Sequence, residues 1–237
     1  MALPLFLLGW RRHWPKVVLA IVGLPLLWSV AAFLTVRFLL DMNGRLALPA
    51  ASFLASGGGK VLDMGAGTGR STLMVLEARP RAFVVALDTF GEQYAAHFGG
   101  GGTAAQILGQ GRARLFANLK AAGVERRASI EAGDVRQMPF AAATFDGIVS
   151  TYTFEHLGRR GTVEAMSEAA RVLKPGGEFL LMVLANDAWL KLIWGPLAVH
   201  GGLARRDRWE TLLHDAGFQM MEEGARPATF YFLARKP

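Results

Sequence analysis

Two kinds of apolar pattern divide the chain. From Val17 to Val36 no residue is charged, and only Ser29 and Thr35 are polar. Such a run, coiled as a helix, reaches about 30 Å, the thickness of a bilayer's hydrocarbon core. From Lys60 onward the pattern changes, and short apolar runs alternate with amphipathic stretches. Lys60–Met64, Ala82–Leu87, Ser129–Ala132, Gly147–Ser150, Glu178–Leu184, Phe218–Glu222 and Thr229–Ala234 read as strands. The stretch from Gly69 to Ala78, Thr103–Gly123, Thr162–Leu173 and a segment from Asp207 to near Gly217 read as helices. Asp207 and Glu210 have the spacing of a capping box at the start of the last one. Strands alternating with helices predict an α/β fold. The expectation is a doubly wound, Rossmann-like, mainly parallel seven-stranded sheet, preceded by a transmembrane or membrane-embedded helix. Residues 1–49 then form an anchor and linker, and residues 50–237 the folded domain.

Lys16 and Arg37 bracket the first run as snorkelling ends would, and Trp10 and Trp14 suit an interface depth. Pro25 sits mid-run, which allows a straight span, a kinked helix or a re-entrant hairpin. A cleaved signal peptide is the competing reading, but its apolar region is usually about 7–15 residues long. Basic residues lie on both flanks, so charge alone leaves the orientation open. Ser56-Gly57-Gly58-Gly59 reads as a flexible lead-in to the domain, and Gly99-Gly100-Gly101-Gly102 as a hinge or lid loop.

Charge sharpens the picture only through its location. Of a formal net charge of +7, a balance of +4 comes from Arg11, Arg12, Lys16, Arg37 and Arg45 against Asp41. Basicity gathered around an apolar arm favours an anionic membrane surface. The domain itself lacks a concentrated basic face with interleaved aromatics, so nucleic acid is not an expected partner. The chain has no cysteine, which excludes a cysteine nucleophile or a thiolate metal site. His156 and His200 are isolated, without a second ligand at metal spacing, so no metal is expected.

The candidate chemistry centres on Val61-Leu62-Asp63-Met64-Gly65-Ala66-Gly67-Thr68-Gly69-Arg70. A strand runs into three alternate glycines and then into a helix whose first N–H groups attract a polar or anionic ligand. A glycine-rich turn alone also serves dinucleotide enzymes. Asp63 argues against them: an acid two residues before the first glycine repels a pyrophosphate and would pair with a ligand's ammonium group. Ligands of doubly wound sheets sit beyond the carboxyl ends of the strands. Asp88, Asp134 and Ser150-Thr151-Tyr152 follow the second, third and fourth strands there. A carboxylate at Asp88 suits the two hydroxyls of a ribose, and one at Asp134 an exocyclic amine.

This set resembles the class I S-adenosylmethionine-dependent methyltransferases over roughly residues 55–237. Asp63-Met64-Gly65-Ala66-Gly67-Thr68-Gly69 looks like their first motif. Met138-Pro139-Phe140 with Thr144-Phe145-Asp146-Gly147-Ile148-Val149-Ser150 resembles their run into the fourth strand. Arg171-Val172-Leu173-Lys174-Pro175-Gly176-Gly177 resembles the loop before the fifth. The resemblance implies S-adenosyl-L-methionine as cofactor, held by Asp63, Gly65, Ala66, Gly67, Gly69, Asp88, Thr89, Asp134, Val135 and Thr151. An Asn-Pro-Pro-Tyr-type motif is missing after the fourth strand, where the chain reads Thr151-Tyr152-Thr153-Phe154-Glu155-His156-Leu157. Glu155 and His156 are the candidate bases. Ala188–Trp194, apolar with two tryptophans, reads as either a packed helix or an acceptor-pocket wall facing a membrane. An apolar anchor joined to such a domain is similar to small membrane-associated methyltransferases, including some acting on thiols. The expected activity is methyl transfer at a membrane to a small lipophilic acceptor: an amine, a thiol, or a phenol or quinol. The expected location is membrane-anchored, with the catalytic domain on the cytoplasmic face. A membrane-anchored binding protein without turnover and an NAD-dependent oxidoreductase are the alternatives.

Overall fold

The computed structural model describes residues 7–8, 10–35, 38, 47–90, 111–186, 188–194, 204–226 and 228–237. The expected lid at Gly99–Gly102, the cation at Arg37 and the lone His200 lie outside them.

Helix α1 (Lys16–Leu34) runs unbroken through Pro25, so no hairpin forms there. It is long and apolar enough to cross a membrane, with a mean hydropathy of 2.5 and no buried residue in its length. Its hydroxyl side chains are satisfied within the helix. Ser29 Oγ donates to the Pro25 carbonyl, and Thr35 Oγ1, just past the helix, donates to that of Ala31, each at 2.8 Å. Hydroxyls bonded back to the preceding turn need no partner from solvent.

The domain is built on strands β1 (Gly58–Met64), β2 (Arg81–Asp88), β3 (Ala128–Ala132), β4 (Phe145–Thr151), β5 (Leu173–Leu184), β6 (Gln219–Arg226) and β7 (Thr229–Arg235). They form one seven-stranded sheet in the order β3-β2-β1-β4-β5-β7-β6. The pairs through β5 are parallel, and β7 is antiparallel to both β5 and β6. The mainly parallel doubly wound sheet is therefore present. Helices α2 (Arg70–Ala78), α3 (Gly111–Ala121), α4 (Gly158–Val172), α5 (Ala188–Trp194) and α6 (Arg206–Asp215) complete it.

Side-chain alternation along the central strands sorts their residues onto two faces. Leu62 and Met64 of β1, with Ile148 and Leu181, join the core beneath α4 and α6, where Met166, Ala169, Trp209 and Leu213 are buried. Val61, with Val84, Val149 and Leu180, joins the core under α2 and α3, where Val75, Leu115 and Leu119 are buried. Asp63 shares parity with Val61 and so falls on the α2 side. The segment before β1 closes this second core: Ala50 and Phe53 are fully buried. Arg79 holds it in place, donating to the carbonyls of Phe53 and Ala51 at 2.6 Å.

Three local expectations change. Gly58 and Gly59, read as a flexible lead-in, belong to β1 and pair with Arg81 and Ala82, because a neighbouring strand is there to take their backbone groups. Pro175-Gly176-Gly177 does not precede β5 but forms an irregularity within it, and Gly176 donates to the Lys236 carbonyl at 2.8 Å. The capping box at Asp207 is not formed. The helix begins at Arg206 after an extended Arg205, and no side chain caps it. Arg206 is drawn into the first turn by Glu210, at 3.3 Å, and by Glu223 of β6.

Candidate active site

The loop between β1 and α2 lies over the end of β2. Gly65 and Ala66 both donate their amides to the Leu87 carbonyl, at 2.9 and 3.0 Å. Gly67 donates to Asp88 Oδ2 at 2.8 Å, and Phe90 donates to the other oxygen at 3.2 Å. Asp88 is 8% exposed at the edge of this cradle, with Thr89 Oγ1 beside it. Gly67 has a φ of +53°, and a Cβ placed there would meet nothing within 4 Å. The loop thus presents bare backbone to open space beside a carboxylate. Gly65, at +80°, is needed for another reason: a Cβ there would lie 2.1 Å from Thr153 Oγ1. Gly69 has no room because Leu115 of α3 covers it, and Asn118 of α3 braces the loop by donating to the Thr68 carbonyl at 2.9 Å.

Asp63 does not face the crevice. It is fully buried, and Ser71 Oγ and Thr72 Oγ1 donate to its oxygens at 2.6–2.8 Å. Its strand parity places it under α2, so it ties the loop to the helix rather than offering an open surface to a ligand's ammonium group. Burial pushes its pKa up to about 6, against the hydrogen bonds from Thr72 and Ser71 that lower it. Ser71 and Thr72 went unassigned in the sequence. A buried acid requires donors, and two hydroxyls opening the next helix were the legible signal.

Asp134 is held by its own neighbour. The Arg136 guanidinium approaches it at 2.5–3.0 Å, and that hydrogen bonding holds its carboxyl below the usual range. Adenine recognition at this corner would involve the pair rather than a lone acid. Val135 and Ala66, both expected at the cofactor, are buried in the cores, at 6% and 4% exposure. Val135 packs with Leu87 and Met138 and shapes the site from behind.

On the far side of the crevice, Thr151 ends β4 and a single turn, Phe154–His156, follows. Thr153 Oγ1 donates to the Met64 carbonyl at 3.1 Å, and Ser150 Oγ to the same carbonyl at 2.7 Å. These bonds join the glycine loop to the segment after β4. Glu155 is 3% exposed; its Oε1 accepts from the Leu184 amide, while Oε2 is buried with no hydrogen-bond partner. Burial pushes its pKa up to about 7. His156 is half-buried in the same turn. Tyr152, at φ +55°, shares a hydrogen bond of 2.7 Å with Thr229 at the start of β7. It packs against Leu184, Ala228 and Leu190 of α5, so α5 roofs the ends of β4, β5 and β7. The sequence placed Tyr152 at the end of the fourth strand but gave it no partner, because only the antiparallel β7 brings Thr229 to it.

Among the described residues no cluster of His, Cys, Asp or Glu suited to a metal ion occurs. The profile of a family described as a methyltransferase domain matches residues 62–181, half of the chain. The chain belongs to that methyltransferase-domain family. Relatives are modest in identity. An uncharacterised methyltransferase of Synechocystis is 28% identical over 179 residues, covering 75% of this chain and 71% of its own. A ubiquinone/menaquinone biosynthesis C-methyltransferase of Syntrophotalea carbinolica is 30% identical over 145 residues, covering 61% and 52%. A sterol 4-C-methyltransferase of Caenorhabditis elegans is 38% identical over 74 residues, so the chain spans 21% of that protein. Among solved structures, a SAM-dependent methyltransferase from Methanosarcina mazei superposes with a TM-score of 0.59 at 17% identity, covering 81% of this chain and 99% of its own. An O-methyltransferase family 2 protein from Planctomyces limnophilus gives 0.60 at 18%, covering 89% and 62%. These two establish the fold.

The cofactor of this methyltransferase is S-adenosylmethionine, which supplies an electrophilic methyl group on a sulfonium. The residues fit it. The open face at Gly67 leaves room for a ligand against the backbone, and the Asp88 carboxylate beside it can accept hydrogen bonds from hydroxyl groups. The start of α2 follows the same loop, and the segment after β4 is joined to it through Thr153.

Proposed function

We propose that the chain transfers a methyl group to a small lipophilic acceptor at a membrane, with the catalytic domain on the cytoplasmic face, where the cofactor is made. The observation that carries this reading is the contact between α1 and α5. Trp28 Nε1 of the apolar helix donates to the Leu192 carbonyl at 3.4 Å, beside the roof of the catalytic crevice. Contact between a membrane-length helix and the roof of the crevice supports an acceptor drawn from lipid.

A phenol or quinol ring best fits the acceptor within the amine, thiol and phenol group. A thiol or phenol has a reference pKa near 8.5–10, within reach of a carboxylate whose pKa is about 7, whereas an aliphatic alcohol is not. Loss of a phenolic proton activates both the oxygen and the ring carbons beside it. The quinone-pathway relative, named for C-methylation, agrees with that choice. Glu155 takes the proton through its unpartnered Oε2, and His156 relays it outward. Positioning in the crevice provides much of the remaining rate.

The test is incorporation of labelled methyl. The full chain in detergent or vesicles is incubated with methyl-tritiated cofactor and membrane lipid extracts supplied with reduced quinones. Label passing into the organic phase, and lost in Asp88→Ala, is the expected result. Label confined to water-soluble products overturns the lipophilic acceptor, and cofactor binding without any product establishes a binding protein instead.

A further inference from the structure

The height at which α5 meets α1 carries a consequence for how the domain sits on the bilayer. Trp28 lies six residues before Leu34, the last residue of α1, so the contact falls about 9 Å back along the axis at 1.5 Å per residue. The domain follows the C-terminal end of α1. An element of that domain touching α1 at this height reaches below the plane in which α1 ends. Interfacial helices insert to a similar extent, about 5–10 Å.

The composition of α5 fits that depth. Ala188-Trp189-Leu190-Lys191-Leu192-Ile193-Trp194 has a single charge, Lys191, whose long stem can carry its ammonium to the headgroups. Tryptophan is enriched at this level of a bilayer. The helix has two distinct sides. Leu190 is fully buried against Leu184, Ala228 and Tyr152, whereas Leu192 is 65% exposed and Ala188 and Lys191 are exposed beside it. An exposed leucine continuous with an exposed apolar helix is costly in water and favourable in lipid.

We infer that α5 is inserted in the same lipid leaflet as α1, with Leu192 in the acyl boundary, and that the crevice behind Leu190 opens sideways onto that leaflet. The acceptor then reaches the crevice from the leaflet, past the exposed side of α5, without crossing water. The inference rests on the reading of α1 as membrane-embedded, and adds to it the depth of the domain and the direction of access.

The native chain has no cysteine, so single spin labels can be placed without background. Leu24→Cys in α1, Leu192→Cys in α5 and Phe116→Cys on α3 are reconstituted as the full chain in phosphatidylcholine–phosphatidylglycerol vesicles. Cofactor binding by calorimetry confirms that each variant is folded. Accessibility to oxygen and to a water-soluble nickel chelate reports depth. Labels at 24 and 192 in lipid, with 116 in water, are expected. A lipid-exposed 24 with a water-exposed 192 overturns the insertion of α5 and leaves the anchor standing; a water-exposed 24 overturns the membrane reading itself. Vesicles carrying a diazirine-acyl phosphatidylcholine then test access in the native chain. Cross-links are expected on peptides holding 188–194 and 150–157, and cross-links confined to α1 overturn the sideways opening.

Discussion

The Gly67 amide donates to the Asp88 carboxylate at 2.8 Å, so the ends of β1 and β2 form a single cradle before any ligand arrives. Asp88 holds the loop, and we propose that it also offers its carboxylate to ribose hydroxyls. Hydrogen bonds to a charged group contribute about 1.5–3 kcal/mol each. Asp88→Ala is expected to weaken S-adenosylmethionine binding at least tenfold by calorimetry on the full chain. Unchanged affinity would remove Asp88 from the site.

Two glycines of one loop should fail in opposite ways. Gly67 faces open space at φ +53°. Gly67→Val should leave thermal stability within about 1–2 kcal/mol, the cost of a left-handed side chain, while abolishing cofactor binding. Gly65 is packed against Thr153. Gly65→Ala should instead lower the melting temperature sharply, with binding lost only as a result of unfolding. Equal behaviour of the two variants would contradict the geometry.

Glu155 gives a pH signature. Burial holds its folded-state pKa at about 7 against an ordinary 4.5. Its protonated form therefore favours the fold. That contribution is complete below pH 4.5 and lost as pH rises through 7, on the order of 3 kcal/mol in all. Asp63, raised from 3.8 to about 6, acts in the same direction over a lower window. Glu155→Gln should gain stability relative to the native chain between pH 5 and pH 8, read as a growing difference in melting temperature. A difference independent of pH would place the ionised carboxylate in water rather than in the core.

The same variant separates stability from chemistry. If Glu155 is the base, turnover falls by about 10²-fold or more while cofactor affinity holds, and the rate of the native enzyme rises with pH through about 7. His156→Ala tests the relay in the same assay. Full activity in both variants would leave catalysis to proximity alone.

The anchor makes a simpler claim. The full chain should stay with membranes through a carbonate wash, and protease added on the cytoplasmic side of sealed vesicles should reach the domain. Release by carbonate would contradict embedding of α1, and protection from protease would reverse the orientation.

The central strands were legible because their buried runs are short and apolar with a polar residue at or near the carboxyl end, as in Val61–Asp63 and Val84–Asp88. The glycine spacing marked the cradle for the same reason: backbone conformation is written in residue type. Partnership was harder to read. The hydroxyls of Ser71 and Thr72 hint at donors for Asp63, and Arg136 stands two residues from Asp134, but whether those side chains meet depends on which face of the strand or turn each takes. Gly58 and Gly59 looked like a linker because a glycine pair has no side-chain signal, and only the adjacent β2 makes them strand. The capping box at Asp207 failed because an ion pair from β6, distant in sequence, advances the start of α6.

The close packing of Gly65 on Thr153 bears on how this enzyme can be changed. A side chain at 65 collides with the threonine and also meets a φ of +80°, so position 65 keeps glycine and the residue packed on it is matched to that glycine. A loop grafted into this chain should be tolerated where it keeps glycine at 65, and a donor loop fitted to a different residue at 153 should need the donor's equivalent of residues 150–157 with it. Cofactor cradle and acceptor wall would then be inherited together, as one transplantable module.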